Sequence, residues 1–345
     1  MSCYILLVFA GIITNLVVSV VIMGNSRLRV ARNLLIVNLS FSDLMLCIFC
    51  MPFTLVELLS RTWVMGSVLC RCVPFVQGVT IFLSSATVSA IAIDRQQVII
   101  NFNGNRKRVN KGNCKHMVVY TTILWVFSVM MALPILFSKS VTTVSLAGMV
   151  LYDKCIEHWP SNYVRASYTV LILFAQFVVP SIVLTVTHLR IKAYLNRSVR
   201  KHDATHAPRT SERLKKELYR NGRATIVLCF ISIAFACSWL PWNVFNLMAD
   251  FDFLSSLPAN DFYLAFVVCH LVAMSSSVTN PILYGWFNSN VRREMRRIRS
   301  ATWQKVLCRM GSSKGQNSDR SNGSALCDNS YIRSSARRDL LESIL

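Results

Sequence analysis

The side chains best able to do chemistry in this chain are set in apolar surroundings. Asp43 follows Asn38, Ser40 and Ser42 in the middle of a long apolar run. An ionisable group there costs about 2.5–3.5 kcal/mol on insertion scales, so its presence points to a role. Together with Asn15, Ser84, Ser276 and Asn280 from other apolar runs, Asp43 would form a polar cluster. Such a cluster can hold a sodium ion or rewire its hydrogen bonds when helices shift. A protonated Asp43 paired with one neighbour is the simpler alternative. Asp94 and Arg95 close another run, where an arginine also snorkels and complements a helix dipole without further duty. The chemistry of an enzyme is not legible. His188 and His270 fall near opposite ends of their runs and cannot share a metal, and the cysteines show neither a Cys-x-x-Cys pair nor a Cys/His cluster of metal-site spacing. No cofactor beyond a sodium ion is expected.

The elements that must position these groups are membrane spans. The 345 residues are 53% hydrophobic and 15% charged, against about 25% charged in soluble domains. Runs of roughly 20 apolar residues, long enough to cross the hydrocarbon, occur at about 3–24, 33–59, 68–99, 116–137, 166–190, 223–249 and 261–286. All are read as helices, because lipid offers backbone groups no other partner. Pro134, Pro180, Pro241 and Pro281 lie deep in these spans and would bend them.

The net charge of +21 is concentrated between spans and in the tail, which fits anionic inner-leaflet lipid rather than nucleic acid. The segments 25–32, 100–115 and 191–222 and the tail from Arg292 are basic. The alternate loops hold Asp153, Glu157, Asp250, Asp252 and Asp261. Positive-inside logic therefore puts the N-terminus outside and the C-terminus in the cytoplasm of a multi-pass plasma-membrane protein. Met1 falls almost at the first span without a signal peptide's basic start, so the true N-terminus is expected to be missing. The sequons at Asn38, Asn196 and Asn322 fall in a span or on the cytoplasmic side.

Taken in order, the positions spell one pattern. Span two carries Asn38, Leu39, Ser40 and Asp43; span three opens with Cys70 and closes with Asp94 and Arg95; Trp125 marks span four and Pro180 span five. Span six has Phe235, Trp239 and Pro241, and span seven has Asn280, Pro281 and Tyr284. The chain resembles the rhodopsin-like G-protein-coupled receptors over nearly its whole length. That resemblance implies an all-α membrane protein, a seven-transmembrane helix bundle with a short amphipathic eighth helix. It also implies a disulfide from Cys70 to Cys155, with Cys72 the rival partner. Phe235 and Trp239 would lie beneath a ligand pocket. Asp94, Arg95, Pro241, Asn280, Pro281 and Tyr284 would rearrange as span six swings out to admit a heterotrimeric G protein. Gln96, His188 and Thr14 depart from the residues usual in the family, leaving basal activity and G-protein preference open.

For the ligand, Gln77 stands where amine receptors place an aspartate. The stretch from Trp63 to Gln77 and that from Tyr284 to Glu294 resemble the neuropeptide Y and neuropeptide F receptors. Thr54, Gln77, Gln176, Asn246, Asp250 and His270 match positions where that family contacts its peptide. Peptides ending in Arg-Phe-amide or Arg-Tyr-amide suit this set. A neutral amide wants the donors and acceptors of Gln77, Thr54 and His270, while the arginine wants a carboxylate, with Asp250 expected to serve rather than Glu57. A solvated Asp250 and a structural His270 are the bland alternatives. Within the fold the runner-up is a receptor for another peptide class, tachykinin-like or short RFamide. A transporter or channel would call for internal repeats, and none is found.

The domain plan is thus 1–286 for the seven-span receptor, 287–300 for an amphipathic helix on the membrane surface and 301–345 for a largely disordered tail. Basic residues of 191–222 are the expected G-protein contact, and the resemblance favours inhibitory coupling. Cys308 is a palmitoylation candidate or a plain thiol. Tail serines would recruit arrestin once phosphorylated, and Ser343, Ile344 and Leu345 offer a weak match to a PDZ ligand.

Overall fold

The computed structural model describes residues 2–26, 28–29, 31–100, 114–146, 149–203, 230, 233–251, 253–254, 256–287, 291–297 and 300. Residues 1–291 form one compact unit and 292–345 a second. The first unit is a helical bundle capped by one hairpin. Its elements are α1 (Ser2–Gly24), α2 (Ala31–Met45, a π turn Leu46–Cys50, then Met51–Ser60), α3 (Gly66–Ile100) and α4 (Cys114–Ser138). Strands β1 (Lys139–Leu146) and β2 (Met149–Glu157) follow, then α5 (Asn162–Leu173, a π turn Phe174–Val178, then Val179–Asp203). Next come α6 (233–250) and α7 (Ala259–Met274 and Ser276–Phe287). A short helix α8 covers 291–297, inside which Arg297 Nη1 is 4.0 Å from Glu294 Oε2. Among the described residues α1 to α5 and α7 are long and apolar enough to cross a membrane. Residues 204–229 and 231–232, ahead of α6, lie outside the described residues, as do Cys308 and Ser343 to Leu345.

The helices are inside-out relative to those of a soluble protein. On α1 the buried positions Tyr4, Gly11, Asn15, Val18 and Ile22 recur at threes, fours and sevens and so form one face. The opposite face exposes Leu6, Phe9, Ile13 and Val20, an arrangement that only an apolar surround favours. Small residues bring backbones together: a Cβ on Gly11 would lie 2.5 Å from Cys47 Sγ across the α1–α2 contact. Asn38 ties three helices, its Nδ2 donating to Thr87 Oγ1 of α3 at 2.9 Å and its Oδ1 accepting from Trp125 Nε1 of α4 at 3.0 Å.

Prolines explain much of the remaining polar geometry. Each removes the N–H that would bond the carbonyl four residues earlier, and lipid supplies no water to replace it. Pro180 frees the carbonyl of Gln176, which lies in the α5 π turn and accepts from Ser85 Oγ of α3 at 3.0 Å. Pro281 frees that of Ser277, which accepts from Asn15 Nδ2 of α1 at 2.8 Å. Pro52 follows the α2 π turn, whose last bond runs from the Met51 N–H to the Leu46 carbonyl. Helix α7 breaks at Ser275, within the serine run expected to interrupt it.

The spans expected from the sequence leave 138–165 as a connecting loop, and the structure places a hairpin there. Antiparallel β1 and β2 pair from Lys139 with Glu157 down to Leu146 with Met149. The β-branched run Val141 to Val144 was its available signal. A disulfide joins Cys155 of β2 to Cys70 at the start of α3, with Cα atoms 5.6 Å apart, while Cys72 is free. The Trp63 N–H donates to the Asp153 carbonyl at 2.7 Å, fastening the α2–α3 turn to the same strand. This hairpin end of the bundle is therefore stitched covalently as well as by hydrogen bonds.

Candidate functional site

Two polar assemblies occupy the bundle. The inner one is centred on Asp43, which is fully buried on α2. Asn280 Nδ2 of α7 donates to Asp43 Oδ2 at 3.2 Å, Ser84 of α3 bonds the same carboxyl, and Ser84 Oγ is 2.8 Å from Ser42 Oγ. Trp239 Nε1 of α6 donates to Ser276 Oγ at 3.2 Å, and Asn15 bridges to Ser277 as above. All five residues expected in the polar cluster thus lie in one buried layer linking α1, α2, α3 and α7. Asn15 Oδ1 is buried there without a hydrogen-bond partner among the described residues. Carboxylate, hydroxyl and amide oxygens are the hard donors a sodium ion takes, so the residues present fit that ion.

Phe235 and Trp239 pack along α6 with ring centroids 6.2 Å apart and planes tilted by 43°, and both are buried. Asn243 Nδ2 donates to the Trp239 carbonyl at 3.0 Å, bracing the helix around Pro241. Asp94 and Arg95 stand near the far end of α3, and Tyr284 lies on the last turns of α7. The side chains of Arg95 and Tyr284 lie outside what is described.

The second assembly lies toward the hairpin end. His270 of α7 is almost wholly enclosed. Its Nε2 is 3.4 Å from Gln77 Nε2 of α3, and its Nδ1 is 3.0 Å from the Tyr4 hydroxyl of α1. Tyr4 in turn bonds Thr54 of α2, whose Oγ1 donates to the Cys50 carbonyl at 3.1 Å. One proton arrangement satisfies the whole chain. The Gln77 amide donates to Nε2, the Nδ1 proton goes to Tyr4, and Tyr4 donates to Thr54. Trp242 meets His270 edge-on at 4.9 Å and Phe266 stacks on it at 6.0 Å, giving the imidazole an aromatic wall.

The other expected residues are elsewhere in this end. Gln176 bonds through its backbone to Ser85, which lies eight positions beyond Gln77 and so about 12 Å deeper along α3. Asn246 is half-buried one turn from Asp250 on α6. Asp250 is already engaged, contrary to the expectation of a carboxylate open to a peptide. Arg165 Nε of α5 is 3.2 Å from Asp250 Oδ1, Arg165 Nη2 donates to the Asp250 carbonyl at 3.0 Å, and Thr169 Oγ1 donates to Oδ2. Tyr4, Arg165, Thr169, Trp242 and Phe266 are not among the residues expected from the sequence. Only Trp242, next to Pro241, carried a visible signal.

On the hairpin, Lys139 Nζ is 3.2 Å from Glu157 Oε1 and Trp159 Nε1 donates to Oε2 at 2.8 Å. Burial alone would raise the Glu157 carboxyl. Lys139, the Trp159 hydrogen bond and the nearby Arg165 outweigh it and hold the group below the usual carboxylate range.

The residue pattern of the 7 transmembrane receptor (rhodopsin family) matches residues 14–284. The Neuropeptide F receptor of Drosophila melanogaster is 35% identical over 322 residues, covering 89% of this chain and 62% of that protein. The Neuropeptide Y receptor type 1 of Xenopus laevis is 32% identical over 296 residues, covering 84% of this chain and 77% of its own length. The Neuropeptide Y receptor type 6 of Mus musculus is 30% identical over 308 residues, covering 87% and 80%. The chain therefore spans just under two thirds of the first of these relatives.

Proposed function

Because this chain belongs to the rhodopsin family of seven-transmembrane receptors, we propose that it detects an extracellular amidated neuropeptide and signals through a heterotrimeric G protein. The family is one of receptors rather than of enzymes. The observation that carries the ligand class is the relay Gln77, His270, Tyr4 and Thr54. It offers neutral donors and acceptors beside an aromatic wall and presents no buried net charge. That is the environment a C-terminal Phe-amide or Tyr-amide wants, and one a terminal carboxylate would enter at a desolvation cost. The names of the relatives, neuropeptide F and neuropeptide Y receptors, agree with this chemistry.

In this reading the hairpin end faces outside, with Cys70 and Cys155 in the oxidising compartment, and the C-terminus is cytoplasmic in the plasma membrane. Thr54, Gln77 and His270 receive the amide, Gln176 closes the floor, and Asn246 lines α6. Asp250 would accept an arginine only after Arg165 gives way. Occupation of the mouth shifts Trp239 and Ser276, and through them the Asp43 and Asn280 layer, so that α6 moves and Arg95 and Tyr284 admit an inhibitory G protein. A sodium ion held by Asp43, Ser84 and Asn280 would lend that layer a fixed charge. The segment 287–300 lies on the inner leaflet as an eighth helix, and Cys308 carries palmitate. Arrestin reads the phosphorylated tail, and Ser343 to Leu345 serve a PDZ protein.

The test expresses the chain in cells and records cAMP and calcium while presenting peptides ending in Arg-Phe-amide or Arg-Tyr-amide and their free-acid forms. A fall in cAMP that needs the amide is the expected result. Equal potency of acid and amide forms rejects the amide site, and silence with the receptor at the surface rejects the ligand class.

A further inference from the structure

The direction in which the relay carries its protons is set at its buried end. Gln77, His270, Tyr4 and Thr54 come from α3, α7, α1 and α2 and are joined end to end by hydrogen bonds. A neutral imidazole holds one proton on its ring nitrogens, so one nitrogen donates and the other accepts. Thr54 closes the choice. It has one hydroxyl proton and gives it to the Cys50 carbonyl at 3.1 Å, so toward Tyr4 it can only accept. Tyr4 therefore donates to Thr54, and its oxygen is left to accept. The partner 3.0 Å from that oxygen, Nδ1 of His270, must then bear the proton. Nε2 is thereby the acceptor, and it draws the amide nitrogen of Gln77, at 3.4 Å, rather than the carbonyl oxygen.

The surroundings leave the ring little other freedom. Tyr4, Thr54 and His270 are buried, whereas Gln77 is only half-buried. Trp242 meets the imidazole edge-on, and the rings of Phe266 and Tyr4 lie within 12° and 3° of parallel to it. Exchanging the two nitrogens by turning the ring over would disturb all three aromatic neighbours. Both nitrogens of His270 and the hydroxyl protons of Tyr4 and Thr54 are spent within the relay. At its less buried end stands an acceptor that the relay does not use, the Gln77 carbonyl oxygen.

We infer that Tyr4 is a positioning residue for ligand selection. By placing the His270 proton on Nδ1 it keeps the Gln77 carbonyl oxygen free for the ligand, and so sets the preference for a terminal amide over a terminal carboxylate. An amide supplies that oxygen with an N–H. A carboxylate has none and would set oxygen against oxygen where water is scarce. With the proton on Nε2 instead, His270 would draw in the Gln77 carbonyl. The N–H groups left over would then suit a carboxylate. Tyr4 acts through the relay and not by touching the ligand, since both bonds of its enclosed hydroxyl are internal.

This role rests on the amidated-peptide reading, and the test separates the two. A synthetic peptide ending in Arg-Phe-amide and its free-acid twin are compared on wild-type and Tyr4→Phe receptors at matched surface levels. Phenylalanine keeps the ring within the apolar cluster that Tyr4 occupies and removes only the oxygen. Wild type should favour the amide by about 10- to 100-fold. In Tyr4→Phe that preference should shrink to within about threefold, the acid gaining potency while the amide loses it. A Tyr4 that merely supports the pocket would cost both peptides alike; an unchanged ratio overturns the inference and leaves the amide reading standing. The proton itself is read from nitrogen NMR spectra of wild-type receptor carrying isotope-labelled histidine, with His270 assigned by its loss in His270→Gln. That measurement decides the matter should Tyr4→Phe fail to reach the surface. Protonation at Nδ1 is expected, and a proton on Nε2 overturns the inference. A surface-expressed wild type that answers acid and amide alike, or neither, removes the amide reading and the role of Tyr4 together.

Discussion

The layer around Asp43 and the mouth around His270 are both polar, but they are closed by different means. In the layer the partners are fixed by position: a carboxyl meets Asn280 and Ser84, and an amide meets a carbonyl that Pro281 has released. With no water at that depth, every donor must find an acceptor in the protein. At the mouth the partners are long side chains from six helices and a hairpin, and several arrangements would satisfy them. Arg165 reaches Asp250, Arg61 turns to Tyr263, and among the described residues no cation is within ion-pair distance of Glu57. A layer without alternatives suits a switch that must have discrete states. A mouth with alternatives suits a surface that must exchange its partners for a ligand's.

The largest effect expected from this contrast is in the layer. Asp43→Leu strands the Asn280 amide and the Ser84 hydroxyl and should cost roughly 3 kcal/mol or more, whereas Asp43→Asn retains acceptors and costs much less. Thermal unfolding of the detergent-solubilised receptor reads the difference, and equal losses in both variants would mean that the hydrogen bonds are not what matters.

Next is the carbonyl freed by proline. Asn15→Ala should destabilise by about 1–3 kcal/mol, and adding Pro281→Ala, which restores the missing backbone N–H, should return part of that. Purely additive losses in the double variant would break the proposed link between Asn15 and Pro281.

At the mouth the coupling is smaller because solvent competes. A double-mutant cycle on Arg165→Ala and Asp250→Ala should give about 1 kcal/mol of interaction, above the surface norm because the pair is half-enclosed. A value near zero would deny the clamp between α5 and α6.

The smallest effect concerns Glu157. Its carboxyl is held below the ordinary range when folded, so its contribution is present above the unfolded value and lost as pH falls through the lower folded one. Melting temperatures of wild type and Glu157→Gln should therefore converge as the solution is acidified below the usual carboxylate range. A gap that widens on acidification contradicts the sign.

Much of this was legible because lipid constrains composition so strongly. The spans at 3–24, 33–59 and 116–137 match α1, α2 and α4 within a few residues. Apolarity measures the thickness of the membrane and not the length of the helix, so α5 was read as ending near 190 but continues to Asp203 through Arg190, Lys192 and Arg197. The hairpin escaped because its residues need not be apolar enough to register as a span, and its pairing is between segments only weakly patterned. The polar layer was legible because Asp43, Asn15 and Asn280 are costly in lipid and so announce themselves. Asp250 was not, since an acid in a loop has many reasons to be there.

Sequence alone thus determined the helical class, the number and order of spans, the polar residues that must find one another in the bundle, and the receptor family. Each follows from the cost of placing charge and unpaired backbone in hydrocarbon, which is paid residue by residue and is visible in one dimension. The tertiary structure alone decided which carbonyl freed by a proline meets which side chain, that His270 joins Gln77 to Tyr4, and that Arg165 rather than solvent occupies Asp250. Those pairings depend on how far apart residues hundreds of positions distant come to rest, and on the directions their long side chains can take, neither of which leaves a mark in residue type or spacing.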